Sequence, residues 1–152
     1  MGKSRLETKG LDRILRQAHK GDITARTGFF EDSGEHPRSG ATAYEIASIN
    51  NNGTTEIPER PFMTDGAFER ELQTAKALKD NYVRFQRGTH SLRQAIKDAA
   101  NHQEQGILAY IALAPMIYQD NAQSTIDRKG FNAPLHEQGW LPKQIDTKIS
   151  YD

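Results

Sequence analysis

The densest cluster of side chains able to do chemistry is Glu31, Asp32, Glu35 and His36, three carboxylates and an imidazole in one short run. Oxygen and imidazole donors so close together suit a divalent cation. The run lacks the alternating ligands of a calcium loop and the histidine pair of a zinc hydrolase helix, so a solvated acidic loop is the simpler account. His19, His90, His102 and His136 are scattered, none with a serine or acid at triad spacing, and are expected at the surface. Arg84, Arg87, Arg93 and Lys97 present donor groups suited to phosphate, but interleaved acids favour a solvated helix face. No glycine pair fits a nucleotide-binding loop, and the chain has no cysteine for a thiolate site or disulfide. The expectation is a non-catalytic protein with no cofactor and no metal.

The elements that must position these groups form an α+β pattern. Leu11, Ile14, Leu15 and Ala18 predict an amphipathic helix over residues 4–20, ended by Gly21. Ile23, Ala25, Thr27 and Phe29 alternate with Thr24, Arg26, Gly28 and Phe30, which predicts a half-buried strand. Residues 31–40, rich in charge, glycine and proline, form a flexible surface loop. Thr42 and Glu45 have capping-box spacing and open a short helix that stops at Asn51-Asn52-Gly53. Pro58 and Pro61 hold the next segment extended and lead Phe62 towards a packing site.

Thr64 is expected to cap a helix whose apolar seam, Phe68, Leu72, Ala75, Leu78, Tyr82 and Phe85, runs to Gly88. A second helical stretch starts at Thr89 or His90. Its stripe of Leu92, Ala95, Ile96 and Ala99 continues past Gly106 into Tyr110, Leu113 and Ile117, with Pro115 placed to kink it. Gly130, Pro134, Gly139 and Pro142 break regular structure before Ile145, Thr147, Ile149 and Tyr151 alternate as a last strand, which pairs with residues 23–30. The predicted architecture is one domain over residues 1–152, with a small antiparallel sheet packed with a long helix or helical hairpin.

Basic and acidic residues both number 20, so no overall field draws the chain to nucleic acid or an anionic membrane. Residues 107–118 are apolar but shorter than a membrane-spanning helix needs. Hydrophobic residues make up 36% of the chain, a modest supply that suits a small core completed by subunit contacts. Phe29, Phe30 and Trp140 are expected as core or interface anchors.

Two segments carry a family resemblance. Gly40-Ala41-Thr42-Ala43-Tyr44-Glu45-Ile46-Ala47, with Asn50, Gly53 and Ile57-Pro58-Glu59-Arg60-Pro61-Phe62-Met63, resembles the tail-completion and virion-morphogenesis proteins of tailed bacteriophages, Mu-like ones included. Thr125-Ile126-Asp127-Arg128-Lys129-Gly130, with Pro134-Leu135, Gly139, Leu141 and Ile145, looks like the C-terminal signature of the same family. Asn51-Asn52 and Glu137-Gln138 depart from its pattern.

The resemblance implies a structural subunit of the virion, assembled in the host cytoplasm into a ring, hexameric on that pattern. The ring would sit at the head-proximal end of the tail or in the neck. Its implied partners are further copies of the chain, neck connector or stopper proteins, and tail tube or tail terminator proteins; DNA passes through its channel and no membrane is involved. A stopper or adaptor elsewhere in the neck is the nearest alternative, and a DNA-binding packaging accessory a more distant one. Assembly contacts are expected from Phe29, Phe30, Glu31, Asp32, Glu35, His36 and Arg38, on the flexible loop 31–40 read as a docking arm and on its approach, and from Arg60, Phe62 and Trp140.

Overall fold

The computed structural model describes residues 9–18, 20–137 and 139–151. In chain order the elements are α1 (Lys9–Ala18), β1 (Ile23–Gly28), α2 (Ala43–Asn52), α3 (Phe62–Glu69), α4 (Glu71–Gln86), α5 (Leu92–Ile117), α6 (Gln123–Lys129), a 3-10 turn (Leu141–Gln144) and β2 (Asp146–Tyr151). Residues 4–8 of the expected first helix, and His19, lie outside the described residues.

Helix α2 starts as its spacing predicts. Thr42 Oγ1 accepts from the Glu45 N–H at 3.2 Å while Glu45 Oε2 accepts from the Thr42 N–H at 2.8 Å, so two orphan donors are satisfied reciprocally. The Thr42 N–H, together with the Thr42 hydroxyl that donates to Glu45 Oε2 at 3.0 Å, holds the Glu45 carboxyl below its ordinary pKa. The expected strand pairing is present: β1 and β2 run antiparallel, from Ile23 opposite Tyr151 to Gly28 opposite Asp146. The Thr27 and Thr147 hydroxyls meet at 2.9 Å, and Thr147 Oγ1 donates to Glu104 Oε2 at 3.2 Å, which ties this small sheet to α5. The fold is α+β, with a long helix packed on a two-stranded antiparallel sheet.

The core gathers Phe29, Ala43, Ala47, Phe62, Ile107, Ile111, Ala114, Leu135 and Leu141. Phe29 and Phe62 meet edge-on at 6.2 Å. Helix α3 approaches α5 closely because glycines face each other at Gly66 and Gly106.

Four expectations are corrected. Thr64 does not cap α3; Asn51 Oδ1, at the end of α2, accepts from Met63 N at 3.0 Å and does that work from outside the helix. The single helix expected over residues 64–88 is two helices, broken at Arg70. Its apolar seam is not the core face: Phe85 is buried, but Phe68 is 76% and Leu72 82% exposed. On α5 the buried positions are Ala95, Ala99, Ala100, Gly106, Ile107, Ile111 and Ala114, while Leu113 and Ile117 face outward.

Pro115 explains a further correction, the position of His136. Proline lacks an N–H, so the Ile111 carbonyl one turn earlier loses its helical partner. His136 Nε2 donates to that carbonyl at 2.9 Å, which places this histidine half-buried against α5 and not on the open surface. Replacing His136 by alanine strands the carbonyl and is expected to cost about 1–3 kcal/mol. Thermal unfolding of the variant measures it, and an unchanged midpoint would contradict the assigned role.

Candidate functional site

The two segments that carry the family resemblance are remote in sequence but meet around one cavity of about 350 Å³. The first enters through a tight reversal after α2. Gly53 adopts a φ of +68°, and a Cβ there would come within 2.8 Å of Glu59 N, so this turn needs glycine. Thr54 N then donates to Ile57 O at 2.8 Å and Arg60 N to Asn50 O at 2.8 Å, folding the proline-rich run back against the end of α2.

That reversal buries Arg60, which is only 4% exposed. Its Nε donates to Gln119 O at 3.2 Å, Nη1 to Asn50 Oδ1 at 3.0 Å and Nη2 to Asp120 O at 3.2 Å. All three acceptors are neutral. Burial pushes the Arg60 pKa down from its ordinary value, although a guanidinium remains charged across the physiological range. The second segment supplies Lys129, whose Nζ donates to His136 O at 2.7 Å and Ala133 O at 3.4 Å. Desolvation lowers its pKa, opposed by Glu137 and reinforced by the charges of Arg128 and Arg60.

Apolar side chains form much of the remaining wall, including Ile46, Ile49, Ile57, Leu135 and Trp140. His36 closes one side: its ring stands edge-on to Trp140 at 4.9 Å and its Nε2 lies 3.5 Å from Glu137 Oε2. The backbone N–H of Arg38 donates to His36 Nδ1 at 3.3 Å, which assigns the ring proton of the neutral form to Nε2, facing Glu137. Arg38 Nη1 reaches the other oxygen of Glu137 at 3.4 Å.

The expected assembly residues therefore divide. Phe29 and Phe62 are core residues, drawn inward by their mutual contact, and present no surface to a neighbour. Arg60, His36, Arg38 and Trp140 come together at the cavity. Glu31, Asp32 and Glu35 are exposed, and Phe30 lies under the Lys148 ammonium at 4.4 Å. Lys148 also pairs with Asp32, and this contact lowers the Asp32 pKa.

Residues 31–40 form the expected surface loop, which carries backbone hydrogen bonds of its own. Ser33 N donates to Phe30 O, His36 N to Ala41 O and Gly40 N to His36 O, and Ala43 N donates back to Gly34 O. Since His36 is turned in towards Trp140, it shares no focus with the exposed Glu31 and Asp32; among the described residues no three His, Asp or Glu side chains are grouped to hold a metal ion. Arg84, Arg87, Arg93 and Lys97 are exposed around the turn between α4 and α5, away from the cavity lining.

Sequence reasoning gave no role to Asn50, Lys129, Leu135 or Glu137, all of which build the cavity. Their signal was present: each lies in or beside one of the two resembling segments, and only the fold shows that these segments share a wall.

A second feature lies on the outer surface. Phe68 near the end of α3 and Leu72 near the start of α4 are largely exposed, Leu78 and Tyr82 further along α4 are half-exposed, and Met116 is 82% exposed near the end of α5. No helix among the described residues is long and apolar enough to cross a membrane. No family model, curated protein or solved structure matches the chain.

Proposed function

We propose that this chain is a structural subunit of a tailed-bacteriophage particle, acting through assembly and not catalysis. It forms a ring at the head-proximal end of the tail or in the neck, completes the tail and joins it to the DNA-filled head. The observation that carries the assembly part is the exposed apolar seam of Phe68, Leu72, Leu78 and Tyr82. Large apolar side chains held open to water mark a site that another surface covers. A ring supplies that cover by seating these side chains of each subunit on a different face of the next, a head-to-tail contact that closes on itself.

The phage part rests on the resemblance of residues 40–63 and 125–145. The convergence of both segments on one cavity supports treating them as a single structural unit. The further partners are neck connector or stopper proteins and the tail tube or tail terminator, with DNA passing through the ring without sequence-specific contacts. Such a protein works in the host cytoplasm during assembly and then in the virion.

Imaging of particles made without the protein tests this function. Filled heads accumulating beside separate tails are the expected result. Intact joined particles would contradict it.

A further inference from the structure

We propose that the cavity built around Arg60 is a binding site for an organic carboxylate that carries an apolar group. This inference is independent of the ring and stands on the cavity alone.

The first ground is a count of donors. A guanidinium has five N–H groups. Three of those on Arg60 are matched, by Gln119 O, Asn50 Oδ1 and Asp120 O. The two left over sit one on each terminal nitrogen and have no partner among the described residues. A carboxylate can accept from both terminal nitrogens of one guanidinium, one oxygen to each. Lys129 has two of its three ammonium donors matched by carbonyls, and its Nζ also lies over the Phe131 ring at 5.6 Å from the centroid. Asn121, also in the lining, has an Nδ2 that is sealed from solvent with no hydrogen-bond partner among the described residues.

The second ground is charge. The lining holds three arginines and a lysine, Arg38, Arg60, Arg128 and Lys129, against the carboxylates of Glu56 and Glu137. Glu137 is already engaged by Arg38 and faces His36. In a chain with zero formal net charge, this is a local positive excess gathered at one concavity. A buried cation matched only by neutral acceptors gains most from a ligand that brings the missing negative charge.

The third ground selects the rest of the ligand. Ile46, Ile49, Ile57 and Leu135 form an apolar wall beside the cations, which a bare inorganic anion would leave facing water. The volume of about 350 Å³ lies at the small end of the roughly 300–1,000 Å³ typical of ligand cavities. The fit is a short branched or aromatic group ending in a carboxylate. Both a small free acid and the C-terminal residue of a peptide have that chemistry.

The test is a titration of the isotope-labelled full chain, followed by NMR at the Trp140 indole and the Arg60 Nε. The probes are 4-methylpentanoate, the matching neutral amide, and an acetylated dipeptide ending in a free leucine carboxylate. The acid is expected to shift both signals and to bind at least about tenfold more tightly than the amide, since a charge-assisted bidentate pair is lost in the amide.

Arg60→Gln should abolish acid binding. Because that change also disturbs the reversal after α2, Arg128→Ala at the exposed rim is the second variant, expected to weaken acid binding about threefold and leave the amide unchanged. Tighter binding of the dipeptide than of 4-methylpentanoate assigns the ligand to a protein chain end, and equal or weaker binding assigns it to a small acid. Equal binding of acid and amide, or no saturable shift from either carboxylate, overturns the proposal.

Discussion

Replacing Gly106 by alanine is expected to destabilise the fold by about 3 kcal/mol, enough to lower the unfolding midpoint by roughly 6–12 °C in a chain of this length. An alanine inside a helix normally gains about 1 kcal/mol over glycine. Here that gain is outweighed. The added Cβ would lie 2.0 Å from the Gly66 carbonyl oxygen and 2.9 Å from its carbon, whereas ordinary contact begins at 3.4 Å. The obstacle is backbone, so no rotamer change relieves it; α3 must move off α5 and take Phe62 out of the core. The reciprocal change, Gly66→Ala, meets Gly106 and Ile107 backbone atoms at 2.7 Å and should have the same sign. Calorimetry of both variants measures the effect, and a Gly106→Ala protein as stable as the parent would refute the close helix approach.

The second large effect concerns assembly and should leave the subunit folded. Phe68→Asp combined with Leu72→Asp alters side chains that are 76% and 82% exposed, so the isolated fold should change by about 0.5 kcal/mol or less per site. Covered by a neighbour, each apolar side chain would contribute about 1.5–3 kcal/mol, and each aspartate would bring an unpaired charge into the contact. A combined loss of about 6 kcal/mol per contact weakens association by roughly four orders of magnitude. Sedimentation of the parent and the variant at equal concentration, with circular dichroism to verify folding, separates the two effects. A folded variant that sediments like the parent would remove the seam from the account.

These two predictions rest on features that were unequally legible in the sequence. The capping box at Thr42 and Glu45 and the alternation in β1 and β2 are local patterns, and each appears where its spacing puts it. The seam from Phe68 to Tyr82 was legible as a stripe, but periodicity shows that one face is apolar and not what covers it. Between Ile107 and Ile117 nearly every position is apolar, so nothing in the pattern distinguishes Ile111, which is buried, from Leu113, which is exposed. Arg70 carries no helix-breaking side chain, so no local signal marks the division of α3 from α4.

The cavity was the least legible feature, because its parts come from separate stretches of chain and a local reading cannot bring them together. Asn50 and Arg60 are joined by a turn that depends on Gly53, while Gln119 and Asp120 reach the same guanidinium from the far end of α5. The Pro115 break predicts an unpaired Ile111 carbonyl, but the identity of its partner, His136, required the fold. Composition marks residues 31–40 as a surface loop, but not the backbone bonds within it or the turn of His36 towards Trp140 and Glu137, which come from distant stretches of chain.

The most direct test of the central claim is the mass and shape of the purified full-length chain in solution, measured by native mass spectrometry and electron microscopy of the same sample. The account predicts a closed ring of identical subunits, six on the pattern of the resembling family, that falls to monomer in the Phe68→Asp, Leu72→Asp variant. A chain that stays monomeric at every concentration examined, with the seam left open to water, would contradict it.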